Sequence, residues 1–282
     1  MNARSLAARL LLPLCRAAAC RSAPAGAVRM VILHDVSAEQ MAPLARLVDH
    51  LGRRYGLISP EEAESRLLGR TPPDGRVPVL LTFDDGFRSN FQAARQVLAP
   101  RGIKALFFVC PGLIDLPEAE RRPAIARHVF RGHVSADALP SQINLMGWDE
   151  LADLARDGHA IGCHSLTHDR LAGLDSQELA RQVATAQDRL STAIGPSPWF
   201  AFPFGDIGSI DAPALAAIAR RFTFCRSGVR GLAHAGLSPL ALPAESVDLG
   251  SDWAWQCLAA EGGLSALYCR ARATLAQAAA TS

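Results

Sequence analysis

The chain has 282 residues, of which 49% are hydrophobic and 20% are charged, and it contains 22 glycines and 18 prolines. This composition excludes a disordered, collagen-like or disulfide-scaffold protein and favours one large globular domain. No apolar run approaches the length of a membrane-spanning helix, about 18 residues or more. The net charge of only +2 does not indicate a basic surface for nucleic acid.

The first 27 residues form a basic segment that differs from the rest of the chain. Residues 1–34 hold five arginines and no acid, whereas the body is close to neutral and has one lysine, Lys104. The apolar run Leu10–Leu14 is shorter than the core of a secretory signal, about 7–15 residues, and Leu14 before Cys15 is not the small residue of a lipoprotein signal. We expect a plain basic helix, with a secretion signal or a transit peptide as the alternatives.

The seven cysteines are an odd number and include no C-x-x-C pair. Cys110, Cys163, Cys225 and Cys257 lie in or beside apolar runs. This pattern predicts buried thiols rather than a disulfide framework. It favours the cytoplasm, with export as the alternative.

Apolar runs and helical periodicity alternate along the chain. The runs predict strands over 28–33, 77–83, 103–109, 159–163, 199–202 and 222–225. Residues spaced three and four apart predict helices over 87–98, 151–155, 179–194 and 214–221, and a last helix over 253–280. Such alternation is typical of parallel strands joined by helical crossovers, and at least five such units favour a (β/α) barrel.

Residues 111–147 interrupt this alternation with a long polar segment of weak periodicity. Long segments of this kind are often lids or substrate-binding loops. We therefore expect an insertion that lies over one end of the barrel.

Two carboxylates directly follow the second predicted strand, in the run Thr82-Phe83-Asp84-Asp85-Gly86. Adjacent carboxylates are costly to desolvate unless they bind a cation or share a proton. The glycine that follows lets the backbone turn tightly. The same five residues are also consistent with an ordinary polar turn.

Two histidines follow the strand predicted over 159–163. His164 and His168 are four residues apart, which would place them on one face of a helical turn and let them bind one metal ion. Alone, such a pair is more often a surface or capping feature. With the acidic pair it predicts a site of one aspartate and two histidines, and three ligands that leave a position for water are typical of a catalytic metal.

These motifs carry a resemblance to a known family. The order T-F-D-D-G over 82–86, H-S-x-x-H over 164–168 and F-P-F-G over 202–205 resembles the polysaccharide deacetylases, the NodB-homology carbohydrate esterases, in their bacterial exopolysaccharide-type subgroup. Residues 148–168 are similar to the family's second block almost throughout, and residues 31–36 resemble its first-strand motif. The resemblance covers residues 28–250, leaving residues 251–282 as a C-terminal helix that packs on the barrel.

The resemblance implies a distorted (β/α) barrel of parallel strands with outer helices, and one divalent metal ion. That ion is usually zinc, with cobalt, nickel or manganese as alternatives. By position, Asp84 is similar to the general base, and Asp85, His164 and His168 are similar to the metal ligands. The oxyanion and substrate contacts would be Phe87, through its backbone N–H, and Pro203, Phe204 and Gly205.

Two positions depart from the family pattern. Many relatives have an arginine that braces the base, and Ala201 stands there in this chain, as in the exopolysaccharide-type subgroup. The Leu-x-His motif that supplies a general acid is also unclear, because His234 has its letters but lies in a glycine-rich segment. His34 ends the first strand, where catalytic groups of barrels gather, and Asp35 beside it favours a protonated imidazole. We favour His34 over His234 as the acid; otherwise His34 only fixes its loop.

The function that follows is metal-dependent removal of acetyl groups from N-acetylated sugars of a polysaccharide or its precursor. One alternative is hydrolysis of O-acetyl esters or of a non-sugar amide at the same site. Another is a carbohydrate-binding barrel with impaired turnover. The expected partner is an acetylated carbohydrate, without nucleic acid and without a transmembrane segment.

Overall fold

The computed structural model describes residues 6, 8–13, 23–72 and 74–282. Parallel strands form one curled sheet in the order β6-β5-β4-β3-β2-β1-β7. The strands are β1 Arg29–Leu33, β2 Val79–Phe83, β3 Leu106–Val109, β4 Ala160–Cys163, β5 Trp199–Ala201, β6 Phe224–Arg226 and β7 Glu245–Ser246. The first six correspond to the predicted runs, and the parallel pairing confirms the predicted fold class.

Helices cover the outside of the sheet. They are α1 Met41–Tyr55, α2 Pro60–Leu67, α3 Arg88–Ala93 with a π turn Ala94–Leu98, α4 Pro111–Ile114, α5 Glu118–His128, α6 Trp148–Arg156, α7 Ser176–Ala180 with a π turn Arg181–Thr185, α8 Ala186–Ala193, α9 Ala212–Ala219, α10 Trp253–Ala260 and α11 Cys269–Ala280. Short 3₁₀ turns are Ala38–Gln40, Ala99–Arg101, Ala136–Ala138 and Ser265–Tyr268.

One segment near the C-terminal end of the domain closes the curled sheet. Leu242 forms a parallel bridge with Arg226 of β6, and β7, which follows directly, pairs with Val31 and Ile32 of β1. The same short stretch therefore pairs with β6 at one end of the sheet and with β1 at the other, which covers the otherwise unpaired sides of these two strands. The strand β7 has two residues, and no periodic pattern in the sequence predicted it.

Alternate strand residues divide the core into two layers. One cluster fills the barrel interior and includes Met30, Ile32, Leu80, Leu106, Phe108, Trp199, Ala201 and Phe224. The intervening residues, such as Val31, Leu81 and Phe107, pack under the outer helices. Successive residues of a strand face opposite sides of a sheet. The residues that face the barrel interior can therefore be identified up to the end of each strand.

The structure corrects the predicted C-terminal helix over 253–280. Two helices, α10 and α11, are separated by residues 261–268. Gly262 has φ of +80°, a left-handed conformation that favours glycine and ends α10. Leu275 and Ala279 of α11 are buried in the outer core, so the C-terminal residues pack on the barrel as expected.

Two regions hold more helix than was predicted. The insertion over 111–147 contains α4 and α5, which share an apolar cluster with Leu139, Ile143 and Leu145. The helices α1 and α2 fill residues 41–67, for which no element was predicted.

Most of the basic segment 1–27, including Cys15, lies outside the described residues. The alternatives of a secretion signal or a transit peptide therefore concern residues that the structure does not describe. Residues 8–13 are helical, and Ala8 and Leu12 pack against Cys257 and Leu258 of α10. None of the helices in the described residues has the length and apolar content needed to cross a bilayer.

The predicted buried thiols are present. Cys110, Cys163 and Cys225 are buried and form no disulfide. Burial raises the pKa of the Cys225 thiol to about 12, so it stays protonated at neutral pH.

Candidate active site

Polar side chains occupy the interior-facing positions just beyond the apolar core of four strands. Each of them lies two residues beyond the preceding interior-facing residue of its strand. They are His34 after β1, Asp84 after β2, His164 after β4 and Arg226 at the end of β6. The strand ladders extend to these positions, since the Asp84 N–H donates to the Leu33 carbonyl at 2.9 Å and the His164 N–H to that of Val109 at 2.8 Å. The alternation that builds the core therefore also collects these four side chains at one end of the barrel.

A cleft of about 800 Å³ opens at this end. Its floor includes the four residues just named together with Asp85 and His168. One wall is apolar and comes from the insertion, through Val129, Phe130, Val134, Leu139 and Ile143. The insertion thus lies over the carboxyl ends of the strands, as its sequence suggested.

A tight turn after β2 directs Asp85 into this cleft. Asp85 and Gly86 both have φ of +70°, a conformation that glycine adopts freely and aspartate tolerates. A Cβ atom at position 86 would lie 3.0 Å from a methyl group of Val109. The positive φ and this close contact with β3 therefore both favour glycine at position 86.

Asp85, His164 and His168 form a compact group of potential metal ligands. Their nearest ligand atoms all lie within 4.8 Å of one another, and all three residues are buried. The Asp85 Oδ1 atom is 3.1 Å from the His168 Nε2 atom and 3.6 Å from the His164 Nε2 atom. Burial alone would raise the pKa of Asp85, but the two imidazoles lower it well below its usual value, which favours an anionic ligand.

Hydrogen bonds orient both imidazoles for metal binding. The Nδ1 atom of His164 lies 2.6 Å from the Ala201 carbonyl, and that of His168 lies 3.3 Å from the His128 carbonyl. Because a carbonyl oxygen only accepts, each Nδ1 carries a proton. The Nε2 atom of each ring, which faces Asp85, is therefore the nitrogen that would bind a metal ion in place of a proton. A carboxylate with two imidazoles held in this way fits a divalent first-row metal such as zinc.

Asp84 forms a buried ion pair beside this group. The Nη2 atom of Arg226 lies 2.6 Å from both carboxylate oxygens of Asp84, and Arg226 is only 1% exposed. Its guanidinium also lies over the ring of Phe108, 4.9 Å from the centroid. Asp84 therefore has one fixed orientation at the cleft floor.

The described geometry agrees with a match to a known family. A family model described as polysaccharide deacetylase matches residues 71–220, more than half of the chain. The chain belongs to the polysaccharide deacetylase family. The matched segment contains both aspartates and both histidines of the site, but it ends before Arg226 and begins after His34.

One curated relative is the Bacillus subtilis (strain 168) protein YxkH, whose name assigns it provisionally to the polysaccharide deacetylases. It is 26% identical over 133 residues, which are 47% of this chain and 38% of YxkH. The chain thus matches well under half the length of this relative.

Solved structures of other proteins share the fold. IcaB from Ammonifex degensii superposes with a TM-score of 0.62 at 21% identity, covering 86% of this chain and 98% of IcaB. The Streptococcus pyogenes deacetylase PplD, solved with acetate, gives 0.60 at 19% identity, covering 81% and 95%. These similarities confirm the predicted distorted (β/α) barrel.

The family's bracing arginine is supplied here from the neighbouring strand. Ala201 of β5 stands at the family position, and its register partner on β6 is Arg226. Both residues belong to the interior face of adjacent strands, so the small side chain at position 201 leaves space for the guanidinium. The sequence analysis noted only that position 201 lacks an arginine, and it did not find Arg226 because the family motif covers only one strand.

The loop that carries His164 and His168 is not the helical turn that the spacing suggested. His164 directly follows β4, and the chain then bends through Ser165 and His168, which have φ of +64° and +62°. The His168 N–H donates to the Ser165 side chain at 3.0 Å. A left-handed loop, rather than helical periodicity, brings the two imidazoles together.

Gln182 supports this loop from the π turn after α7, and sequence reasoning missed it. Its fully buried side chain accepts from the Leu166 and Thr167 N–H groups at 3.1 and 3.2 Å. Its amide nitrogen donates to Asp169 at 2.8 Å. The sequence shows only a polar residue beside a helical stripe, which is not distinctive.

The backbone N–H of Phe87, the expected oxyanion donor, remains available. Its neighbours are engaged by the insertion, because Arg88 donates to Asn144 and Gly86 accepts from Met146. Among the described residues the Phe87 N–H has no acceptor, and Phe87 lines the cleft. These facts agree with the predicted role.

The expected substrate contacts after β5 divide into two groups. Phe204 and Gly205 line the cleft, whereas Pro203 is buried and does not line it. The Phe204 ring meets that of His168 edge to face, with centroids 4.7 Å apart. A Cβ atom at Gly205 would lie 2.5 Å from the backbone of Gly228, so only glycine fits there.

His34 lines the cleft and is exposed. The start of α3 holds its loop, because the side chain of Asn90 donates to the His34 carbonyl at 2.7 Å. Asp35 accepts a hydrogen bond from Ser89 at 2.7 Å, so its carboxylate is fixed by that serine. The position of His34 suits the predicted acid.

The structure does not bring His234, the other candidate acid, to the site. The preceding Ala233 forms an antiparallel bridge with Val28, which lies just before β1 begins. His234 is therefore at the amino ends of the strands, opposite the cleft, and it does not line the cleft. His234 therefore matches the Leu-x-His motif in residue types but not in its position in the fold.

Left-handed backbone is concentrated around this site. The non-glycine residues with positive φ among the described residues are Asp85, Arg131, Ser165, His168 and Phe204. Asp85 and His168 are candidate ligands, Ser165 and Phe204 contact His168, and Arg131 lies over the Phe204 ring. Such conformations cost about 1–3 kcal/mol each and persist only where surrounding contacts enforce them.

Proposed function

We propose that this chain is a metal-dependent hydrolase that removes acetyl groups from N-acetylated sugars of a polysaccharide or its precursor. The observation that carries the proposal is the buried Asp85–His164–His168 group with Asp84 next to it on the floor of an accessible cleft. A divalent ion, zinc above all, would polarise the acetyl carbonyl there and lower the pKa of a water molecule.

Asp84 has the geometry of a general base. Arg226 fixes the carboxylate through both oxygens, and each oxygen keeps a second lone pair that accepts a proton. Asp85 does not suit this role, because both histidines face its carboxylate. The two adjacent aspartates therefore have different tasks.

Phe87 and His34 provide the remaining parts of the reaction. The Phe87 N–H, which has no acceptor among the described residues, would donate to the developing oxyanion of the acetyl group. His34 faces the same cleft and would protonate the departing amine. The apolar wall of the insertion limits the access of water from that side.

The presence of Arg226 weakens the alternative of a binding barrel without turnover. That alternative rested on the absent arginine at position 201 and on the unclear acid. The guanidinium is present from β6, so the base has the partner that turnover needs. Hydrolysis of an O-acetyl ester remains the alternative for the same site.

The test of the proposal is acetate release by the zinc-loaded chain. N-acetylated chitooligosaccharides and bacterial glycans are compared with O-acetylated glycans of the same backbone. Zinc-dependent release from the N-acetylated set is expected. Release from esters alone would assign the site to ester hydrolysis, and binding of glycans without any release would assign it to the binding class.

His34→Ala should impair amide hydrolysis more than ester hydrolysis. An amine leaves poorly unless it is protonated, whereas an alkoxide needs this less. We expect the variant to lose about 10²–10⁴ more in rate on an N-acetyl substrate than on the matched O-acetyl substrate. His234→Ala is the control and should lose little on either. Equal losses on both substrates for His34→Ala would remove it as the acid.

An arginine on β5 should partly replace Arg226 of β6. Arg226→Ala is expected to lower kcat about 10–100-fold with metal content unchanged, since residues that orient a reacting group usually have effects of this size. Adding Ala201→Arg places an arginine at the register partner and should recover part of the loss. A double variant that is folded by circular dichroism but no more active than Arg226→Ala would show that an arginine at position 201 cannot replace Arg226.

A further inference from the structure

A second cavity of about 410 Å³ lies beside the metal-ligand group. It shares His168 and Phe204 with the main cleft. Three arginines line it, Arg127, Arg131 and Arg170, and we call these three the arginine rim. A group bound there would therefore be adjacent to a sugar bound over the metal site.

The arginine rim has an unbalanced positive charge. No ion pair to a carboxylate involves its three members within the described residues, whereas Arg66, Arg88 and Arg101 each have an acidic partner. All three rim residues are exposed. Their guanidinium groups therefore have no carboxylate partner among the described residues and are accessible to an anionic ligand.

The one acid that lines this cavity is already engaged. Asp169 accepts hydrogen bonds from Thr167 at 2.7 Å and from Gln182 at 2.8 Å, and its other oxygen lies 3.1 Å from the His128 Nδ1 atom. These contacts tie the carboxylate to the histidine loop. Its single negative charge offsets only one of the three arginines that line the cavity.

The rim is held in a fixed relation to the metal-ligand group. Arg131 has φ of +54°, a strained value for a long side chain. Its guanidinium lies over the Phe204 ring at 3.6 Å from the centroid. The carbonyl of His128, at the end of α5, accepts the hydrogen bond from His168. The same helix end thus positions both a ligand and two of the arginines.

We infer that the arginine rim is a subsite for an anionic substituent, a carboxylate or a phosphate, on the sugar next to the acetylated one. The substrate class is then an acidic glycan. Guanidinium groups bind such planar or tetrahedral anions through paired N–H donors, and three of them around one cavity raise the local concentration of an anionic chain. This inference rests on the proposed function for the position of the acetylated sugar.

The experiment compares two oligosaccharides that differ only in charge. One alternates glucuronic acid with N-acetylglucosamine, and the other is the same chain after chemical reduction of its carboxylates. Dissociation constants are measured on the full chain after chelation, and again with Asp84→Asn, so that turnover does not consume the ligand. We expect the acidic chain to bind about tenfold tighter at low salt, with the preference declining as salt is added.

The triple variant Arg127→Gln, Arg131→Gln, Arg170→Gln should remove this preference and leave binding of the reduced chain unchanged. The matched control is Arg70→Gln, Arg220→Gln, Arg270→Gln, which removes the same charge from exposed arginines that do not line the cavity. An equal loss in the control, or equal binding of both chains by the wild type, would overturn the inference. The inference would also be overturned if inorganic phosphate displaced both oligosaccharides while the wild type bound the acidic one no more tightly than the reduced one.

The outcome is separable from that of the proposed function. If the charge preference is present but no N-acetyl sugar loses acetate, the deacetylase proposal fails and the anionic subsite stands. If acetate is released from neutral and acidic chains with equal kcat/KM and equal affinity, the deacetylase proposal stands and the subsite fails. Circular dichroism of both triple variants checks that the fold is retained.

Discussion

The double variant His164→Ala, His168→Ala is expected to retain no stoichiometric divalent ion and to release no acetate. Both Nε2 atoms that face Asp85 are removed, and one carboxylate does not hold zinc against competing water. Metal content after dialysis is the direct measurement. Because it does not depend on activity, it tests the ligand assignment separately from the reaction.

The control for this variant removes two histidines elsewhere. His133→Ala, His234→Ala should bind one ion per chain, because neither residue lines the cleft. Loss of the imidazoles also leaves the buried Asp85 carboxylate without either contact, so the unfolding midpoint of each variant is recorded. Wild-type chain that has been chelated and reloaded with zinc gives the folded reference. Stoichiometric metal in the site variant would refute the assignment.

The grouping of Asp85 and His164 was predictable from the sequence because each of these candidate ligands follows a strand that the sequence also reveals. Asp85 comes after the apolar run of β2, and His164 comes after that of β4. In a parallel barrel the carboxyl ends of strands meet at one end, so proximity follows from topology. His168 was found by its spacing, although the reason was wrong, because a left-handed loop rather than a helical turn carries it.

Arg226 was not predictable because its role depends on register between strands. Residues 201 and 226 are distant in the chain but adjacent across the β5–β6 pair. No local pattern encodes that pairing. A family motif that covers one strand shows only that alanine stands at position 201 in place of arginine. The structure is needed to show that Arg226, on the adjacent strand, carries the guanidinium.

His234 shows the opposite error, a motif match without structural context. Its three letters fit the family pattern, but the preceding residue pairs with Val28 at the start of β1. The late strand β7 was missed for a related reason, since two residues form it through pairing with β1 rather than through any periodicity of their own. Tertiary pairing, which short segments do not encode, decided both cases.

Asp84→Asn should keep the metal and lose turnover by about 10²–10⁴. An amide oxygen does not take a proton from water at neutral pH, whereas the ligand atoms of Asp85 and the two histidines are left in place. The measurements are metal content and kcat on an N-acetylated oligosaccharide. A variant that hydrolyses the substrate at close to the wild-type rate would refute the base assignment.

The buried ion pair complicates this variant and also provides its control. Removing the charge of Asp84 leaves the guanidinium of Arg226, which is 1% exposed, without its carboxylate, and an unpaired buried charge costs about 3–5 kcal/mol of stability. The double variant Asp84→Asn, Arg226→Gln relieves that cost, so we expect it to unfold at a higher midpoint than Asp84→Asn while remaining inactive and metal-bound. A stable double variant that lacks both metal and activity would show that Asp84 and Asp85 share the ion. Retained metal with lost turnover in both variants instead separates the two adjacent carboxylates into a base and a ligand.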